Sequence, residues 1–103
     1  MPPVPKPKLV PSDFDFEKIL PEWQVNLLTQ ELERVFIFGD FKIAFQFMTL
    51  CANFAEELDH HPDWSNSWNR VSVRLSTHSM KALTELDITM AKAMDQFALQ
   101  VSP

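Results

Sequence analysis

"ELDHHPDWSNSWNRVSVRLSTHS", residues Glu57 to Ser79, decides the fold, because it holds the end of a helix, two facing strands and every histidine of the chain. Val71, Val73 and Leu75 alternate with polar neighbours, the period-two pattern of a half-buried strand, and Trp64 and Trp68 fit a strand before it. Trp68-Asn69 supplies the turn, since asparagine tolerates the backbone of a tight hairpin. That register sets Ser67 opposite Arg70 and Asn66 opposite Val71. Continued outward, it sets His61 opposite Ser76 and His60 opposite Thr77, and brings His78 beside the tandem pair. Histidines far apart in sequence are thus expected in one small pocket at the sheet edge.

Upstream lies the most apolar segment, "FKIAFQFMTLCANFAEEL", residues 41–58, with Asp40 placed to cap it and Gly39 ending the strand before it. Phe41, Ala44, Phe45, Met48, Cys51, Ala52, Ala55 and Leu58 form a stripe at helical spacing that suits packing on a sheet. Ile43, Phe47, Leu50 and Phe54 form a second stripe, read as a self-association surface. Before that helix, "WQVNLLTQELERVFIF" is rich in aromatic and β-branched residues and reads as two strands joined near Thr29-Gln30. "DFDFEKIL" reads as a short helix capped by Ser12 or Asp13 and stopped before Pro21. After the hairpin, Thr84 opens a last helix with Glu85 and Asp87 in its first turn and an apolar stripe of Leu86, Met90, Ala93, Met94 and Phe97. The order α-β-β-α-β-β-α gives an α+β fold, a four-stranded antiparallel sheet with three helices packed on one face.

The chain has 103 residues, enough for one modest core, so residues 12–103 are expected to form a single domain. Residues 1–11, "MPPVPKPKLVP", read as a loose Pro-rich tail that is dispensable. A net charge of −5 without a cluster of Lys or Arg argues against direct nucleic-acid contact. No apolar run approaches the roughly 18 residues of a membrane span, and no signal-peptide pattern opens the chain. A cytoplasmic protein is expected, with the nucleus as a second compartment. Cys51 lies within an apolar helical pattern and reads as a small buried hydrophobe, a reactive thiol being the alternative.

The histidines invite three readings. A tandem His in a polar loop is commonly solvated surface. Three His and a carboxylate also suit zinc, but adjacent side chains on an extended backbone point to opposite sides, which hinders joint ligation. The third reading is acid-base work: His60 and His61 follow a helix C-terminus where Glu56, Glu57 and Asp59 crowd against the usual charge preference, the kind of local violation expected at a functional site. Pro62 stiffens the backbone after the pair.

Taken together, Glu56, "HHP" at 60–62, Trp64 and Trp68, "STH" at 76–78 and Asp87 in "LTELD" resemble the pterin-4a-carbinolamine dehydratase family, with the similarity running over roughly residues 20–100. One departure is Glu22 before Trp23, where the family often has glycine. The resemblance implies dehydration of 4a-hydroxytetrahydrobiopterin to quinonoid dihydrobiopterin, recycling the cofactor of aromatic amino acid hydroxylases, with no metal or other cofactor required. It implies His60 and His78 as the acid-base pair, Glu56 orienting a histidine, His61 holding the pterin, and Asp87 positioning His78. Pro62, Trp64 and Thr77 complete the implied substrate site, Trp64 as an apolar wall. Animal members of the family are also similar to a dimerization cofactor of a homeodomain transcription factor. The implied partners are therefore the pterin, a homodimer or homotetramer through the helix at 40–58, and a transcription factor bound through the same face.

Overall fold

The computed structural model describes residues 6–103. Its elements follow the expected order: α1 (Phe16–Ile19), β1 (Gln24–Asn26), β2 (Glu31–Ile37), α2 (Phe41–Leu58), β3 (Asp63–Ser67), β4 (Arg70–Leu75), a 3-10 turn at His78–Met80, and α3 (Glu85–Val101). The strands form one antiparallel sheet in the order β1-β2-β4-β3. The fold is α+β, three helices with a four-stranded antiparallel sheet. Leu32 and Phe36 of β2 and Val71, Val73 and Leu75 of β4 are buried on the face that meets the helices.

Turn chemistry accounts for the connections. Asn26 Oδ1 accepts from the backbone N–H groups of Leu28 and Thr29, which folds the chain from β1 into β2. The β3–β4 hairpin has the expected register, Asn66 opposite Val71 and Ser67 opposite Arg70. Trp68 belongs to its turn, with a left-handed φ of 50°, and is exposed instead of packing in the sheet. Asn66 Nδ2 donates to the carbonyls of Trp68 and Arg70 and locks that turn. The ladder stops at Asp63 opposite Arg74, so His60 and His61 do not stand across from Ser76 and Thr77. Pro62, which has no N–H to offer a ladder, lies where it ends.

Two further expectations are corrected. Ser12 and Asp13 do not cap α1; they lie in a turn closed by Phe14 N–H to the Pro11 carbonyl, and Asp15 is the cap. In α2 the stripes divide differently from the expected grouping. Ala44, Phe47, Cys51 and Ala55 are the buried residues, whereas Phe41 and Phe45 are exposed. The small residues let the sheet approach closely, and Phe47 wedges between Phe36 and Phe38 at ring distances of 4.6 and 5.0 Å. On the flank, Phe54 meets Phe97 of α3 edge to face. Residues 1–5 of the Pro-rich segment lie outside the described residues; Lys8 and Val10, within the same segment, are hydrogen-bonded to the start of α3.

Cys51 is fully buried, and burial pushes its thiol up from 9.0 to about 12 against a small opposing effect of a backbone hydrogen bond. The thiolate is therefore scarce at ordinary pH. Folded protein at pH 8 is expected to leave a disulfide thiol reagent unreacted, and urea-unfolded protein to consume one equivalent; prompt reaction of the folded form would contradict this burial. Because unfolding returns the thiol to its ordinary value, this group lowers stability as pH rises from about 9 towards 12 and has no influence near neutrality.

Candidate active site

The end of α2 sets the first histidine. Asp59 adopts a left-handed conformation with φ 53°, and the His60 N–H reaches back to the Ala55 carbonyl at 3.1 Å while the Asp59 N–H reaches Glu56. This is a Schellman closure with Asp where glycine is usual, and it turns the chain sharply at the helix end. His60 is left only 8% exposed, with Nε2 2.6 Å from Asp87 Oδ1.

Asp87 is fully buried in the first turn of α3. Its Oδ2 accepts from the Thr77 hydroxyl at 2.8 Å and from the Thr84 backbone N–H at 3.0 Å, the second bond being half of a capping box. Thr77 has one hydroxyl proton, already given to Asp87, so the 2.6 Å contact between Thr77 Oγ1 and Thr84 Oγ1 is donated by Thr84. Proton donors therefore run in one direction, Thr84 to Thr77 to Asp87. Oδ1 then takes its bond from His60 Nε2–H, which assigns the tautomer through the network. In the neutral ring the other nitrogen, Nδ1, is then the acceptor. No fully buried side-chain nitrogen or oxygen among the described residues lacks a partner, and Nδ1 has none there, so Nδ1 keeps some contact with solvent. The result is an imidazole anchored through Nε2 to a buried carboxylate, with Nδ1 free of a protein partner among the described residues.

His61 takes a different partner. Its Nε2 lies 2.6 Å from Glu56 Oε2, with the two side chains 56% and 78% exposed, so water screens the pair and it orients the ring only lightly. Glu56 is thus hydrogen-bonded to His61. Asp87, expected to position His78, instead holds His60. The reason lies in the ladder's early end: once pairing stops at Asp63, His60 is free to turn under the sheet edge towards α3. His78 is exposed in the 3-10 turn that follows Thr77, and no hydrogen bond joins it to either tandem histidine among the described residues. Trp64 is half-buried on β3. Thr84 was legible in the sequence as a helix cap, but its hydroxyl link to Thr77 was not, because it joins residues across a loop.

Two concavities have no histidine in their lining. One, of about 580 Å³, is bordered by Gln24, Glu33, Asp63, Trp64, Ser72 and Arg74. The other, of about 570 Å³, lies along the outer side of α2 beside Phe41, Phe45, Leu50 and Val101. Among the described residues, no group of three or more His, Cys, Asp or Glu side chains is arranged to hold a metal ion, and no helix is long and apolar enough to cross a membrane.

Residues 11–97 match the family model described as pterin 4 alpha carbinolamine dehydratase. A provisionally named pterin-4-alpha-carbinolamine dehydratase of Bordetella avium is 49% identical over 81 residues, 79% of this chain and 75% of that protein. One of the same provisional name from Brucella ovis is 48% identical over 81 residues, 79% of this chain and 84% of its own. A crystal structure described as a transcriptional coactivator/pterin dehydratase from Brucella melitensis superposes with a TM-score of 0.78 at 44% identity, covering 88% of this chain and 98% of that one. The matched span takes in the tandem histidines, His78 and the buried Asp87, and the chain belongs to the pterin 4 alpha carbinolamine dehydratase family.

Proposed function

We propose that this protein dehydrates 4a-hydroxytetrahydrobiopterin to quinonoid dihydrobiopterin and water, recycling the pterin in the cytoplasm by histidine acid-base catalysis. The reading rests above all on the buried Asp87 carboxylate that anchors His60 through Nε2. The reaction breaks a carbon–oxygen bond, so the departing hydroxyl must gain a proton, and a ring N–H must lose one as the carbon–nitrogen double bond forms. Imidazoles suit both transfers near neutral pH. His60, restrained by Asp87, takes the ring proton through Nδ1. His78, exposed and one residue from the Asp87-bound Thr77, delivers the proton to the leaving oxygen. His61, turned towards Glu56, holds the pterin, with Pro62 and Trp64 forming an apolar edge to the site.

The deciding experiment is stopped-flow absorbance on a chemically generated 4a-hydroxytetrahydropterin. Protein is expected to accelerate quinonoid formation over the spontaneous rate, with about 10²-fold or more lost in each of His60→Ala and His78→Ala. His61→Ala is expected to raise KM more than it lowers kcat. A folded protein without acceleration would end the dehydratase reading.

A second reading is favoured by Phe41 and Phe45, exposed by 48% and 55% on the outer side of α2. Large aromatic side chains left in water beside an apolar groove mark a contact surface. The occupant proposed is a second copy of this chain, giving a homodimer or homotetramer through the helix at 40–58. A transcription-factor helix on the same face, in the nucleus, is the further role suggested by the coactivator description of the structural neighbour.

A further inference from the structure

We propose that residues Lys8 to Val10 are a strap that positions Asp87, and through it His60, so that this short segment N-terminal to the family match tunes the acid-base histidine.

The sequence predisposes the segment to the role. In "PKLVP", residues 7–11, each proline restricts the residue before it to extended backbone, so Val10 is held in the β region by Pro11. An extended piece can add to backbone that is otherwise unpaired, and here it does. Leu9 bridges Thr84 in antiparallel fashion. Val10 N–H donates to the Leu83 carbonyl at 3.2 Å, and the Lys8 carbonyl accepts from Glu85 N–H at 2.8 Å. Lys8 N–H returns a bond to Glu85 Oε1 at 3.3 Å.

These contacts fall on the turn that carries the site. A helix begins with N–H groups that have no partner within it, and each must be satisfied from outside or by a cap. In α3, Thr84 Oγ1 accepts from Leu86, and the Thr84 carbonyl accepts from Asp87 and Ile88. Glu85 N–H is the one that depends on the strap. Thr84 is thereby gripped on both sides: its flanking residues are bound to the strap, and its own N–H is bound to Asp87 Oδ2. Thr84 and Asp87 are fully buried, so a shift of this turn has no water nearby to absorb it and is passed to the bond with His60. Misplacement of a catalytic group by about an ångström is enough to cost orders of magnitude in rate.

The strap's effect on activity rests on the dehydratase reading; its effect on the imidazole does not. Three proteins are compared: the full chain, a deletion of residues 2–6 that keeps the strap, and a deletion of residues 2–10 that removes it. Removing the strap is expected to lower kcat about 10-fold or more with KM little changed, to speed hydrogen exchange of the Glu85 and Thr84 amides, and to shift the His60 imidazole nitrogen resonances. The shorter deletion is expected to match the full chain in all three. If the longer deletion fails to fold, Val10→Pro, which removes the donor to Leu83 together with the Val side chain, is measured against Val10→Ala, which loses the side chain and keeps the donor; the same shifts are expected for the proline alone. An unchanged His60 signal in a folded strapless protein overturns the proposal, even where stability has fallen. A full chain without dehydratase activity whose His60 signal still moves on strap removal would overturn the function and leave the strap standing.

Discussion

Asp87→Asn is expected to lower kcat by about 10²-fold or more while leaving the fold in place. The carboxylate serves donors on both oxygens: Thr77 hydroxyl and Thr84 N–H on Oδ2, His60 on Oδ1. An amide has one oxygen and one NH2 group, so it can satisfy only one of these sides as acceptor. Its oxygen keeps the side with two donors, which leaves the NH2 facing His60 Nε2. The imidazole must then accept there and carry its proton on Nδ1. A base becomes a donor, and proton removal from the pterin fails without loss of a single contact by count. Stopped-flow rates and a urea melt together check this. A urea midpoint near wild type with kcat reduced supports the tautomer argument, whereas wild-type kcat would remove the His60–Asp87 pair from the chemistry. His60→Ala is expected to lose at least as much activity, because it removes the base itself.

What the sequence made legible was local. Asp40 caps α2 and Thr84 with Asp87 forms the capping box of α3, each decided within four residues. The β3–β4 register followed from one turn, since the period of two propagates from any fixed pair. The site was half legible for the same reason. The motif groups His60, His61, His78, Glu56, Thr77 and Asp87 as one expected site, but which histidine Asp87 holds depends on how far the ladder runs. Continuing the hairpin past Pro62 places His60 at the sheet edge, whereas the ladder ends at Asp63 and His60 is buried. The strap was hidden for a different reason. Its proline content argues for extended backbone, which is equally the state of a free tail and of an added strand, and only the unpaired amide of a distant helix decides between them.

The same ambiguity governs α2, where two apolar stripes at helical spacing are equally good candidates for the core, and a pair of substitutions separates them. Phe47→Ala is expected to cost about 3–5 kcal/mol, a large part of the roughly 5–15 kcal/mol that holds a domain together. Phe47 is fully buried between Phe36 of β2 and Phe38 just past the strand's end, a backbone held by sheet pairing that cannot collapse into the space a ring leaves. The midpoint of thermal unfolding should fall by more than about 10 °C. Phe45→Glu, two positions away, is expected to change monomer stability by no more than about 0.5 kcal/mol, because Phe45 is 55% exposed. Its effect should appear in light scattering instead, as a fall in native mass towards one chain, since a carboxylate in a contact between copies has no partner to repay its desolvation. Phe45→Glu unfolding the protein as severely as Phe47→Ala would mean that the two faces have been assigned the wrong way round. A wild-type protein already of single-chain mass would end the self-association reading and leave the exposed aromatic pair to a different partner.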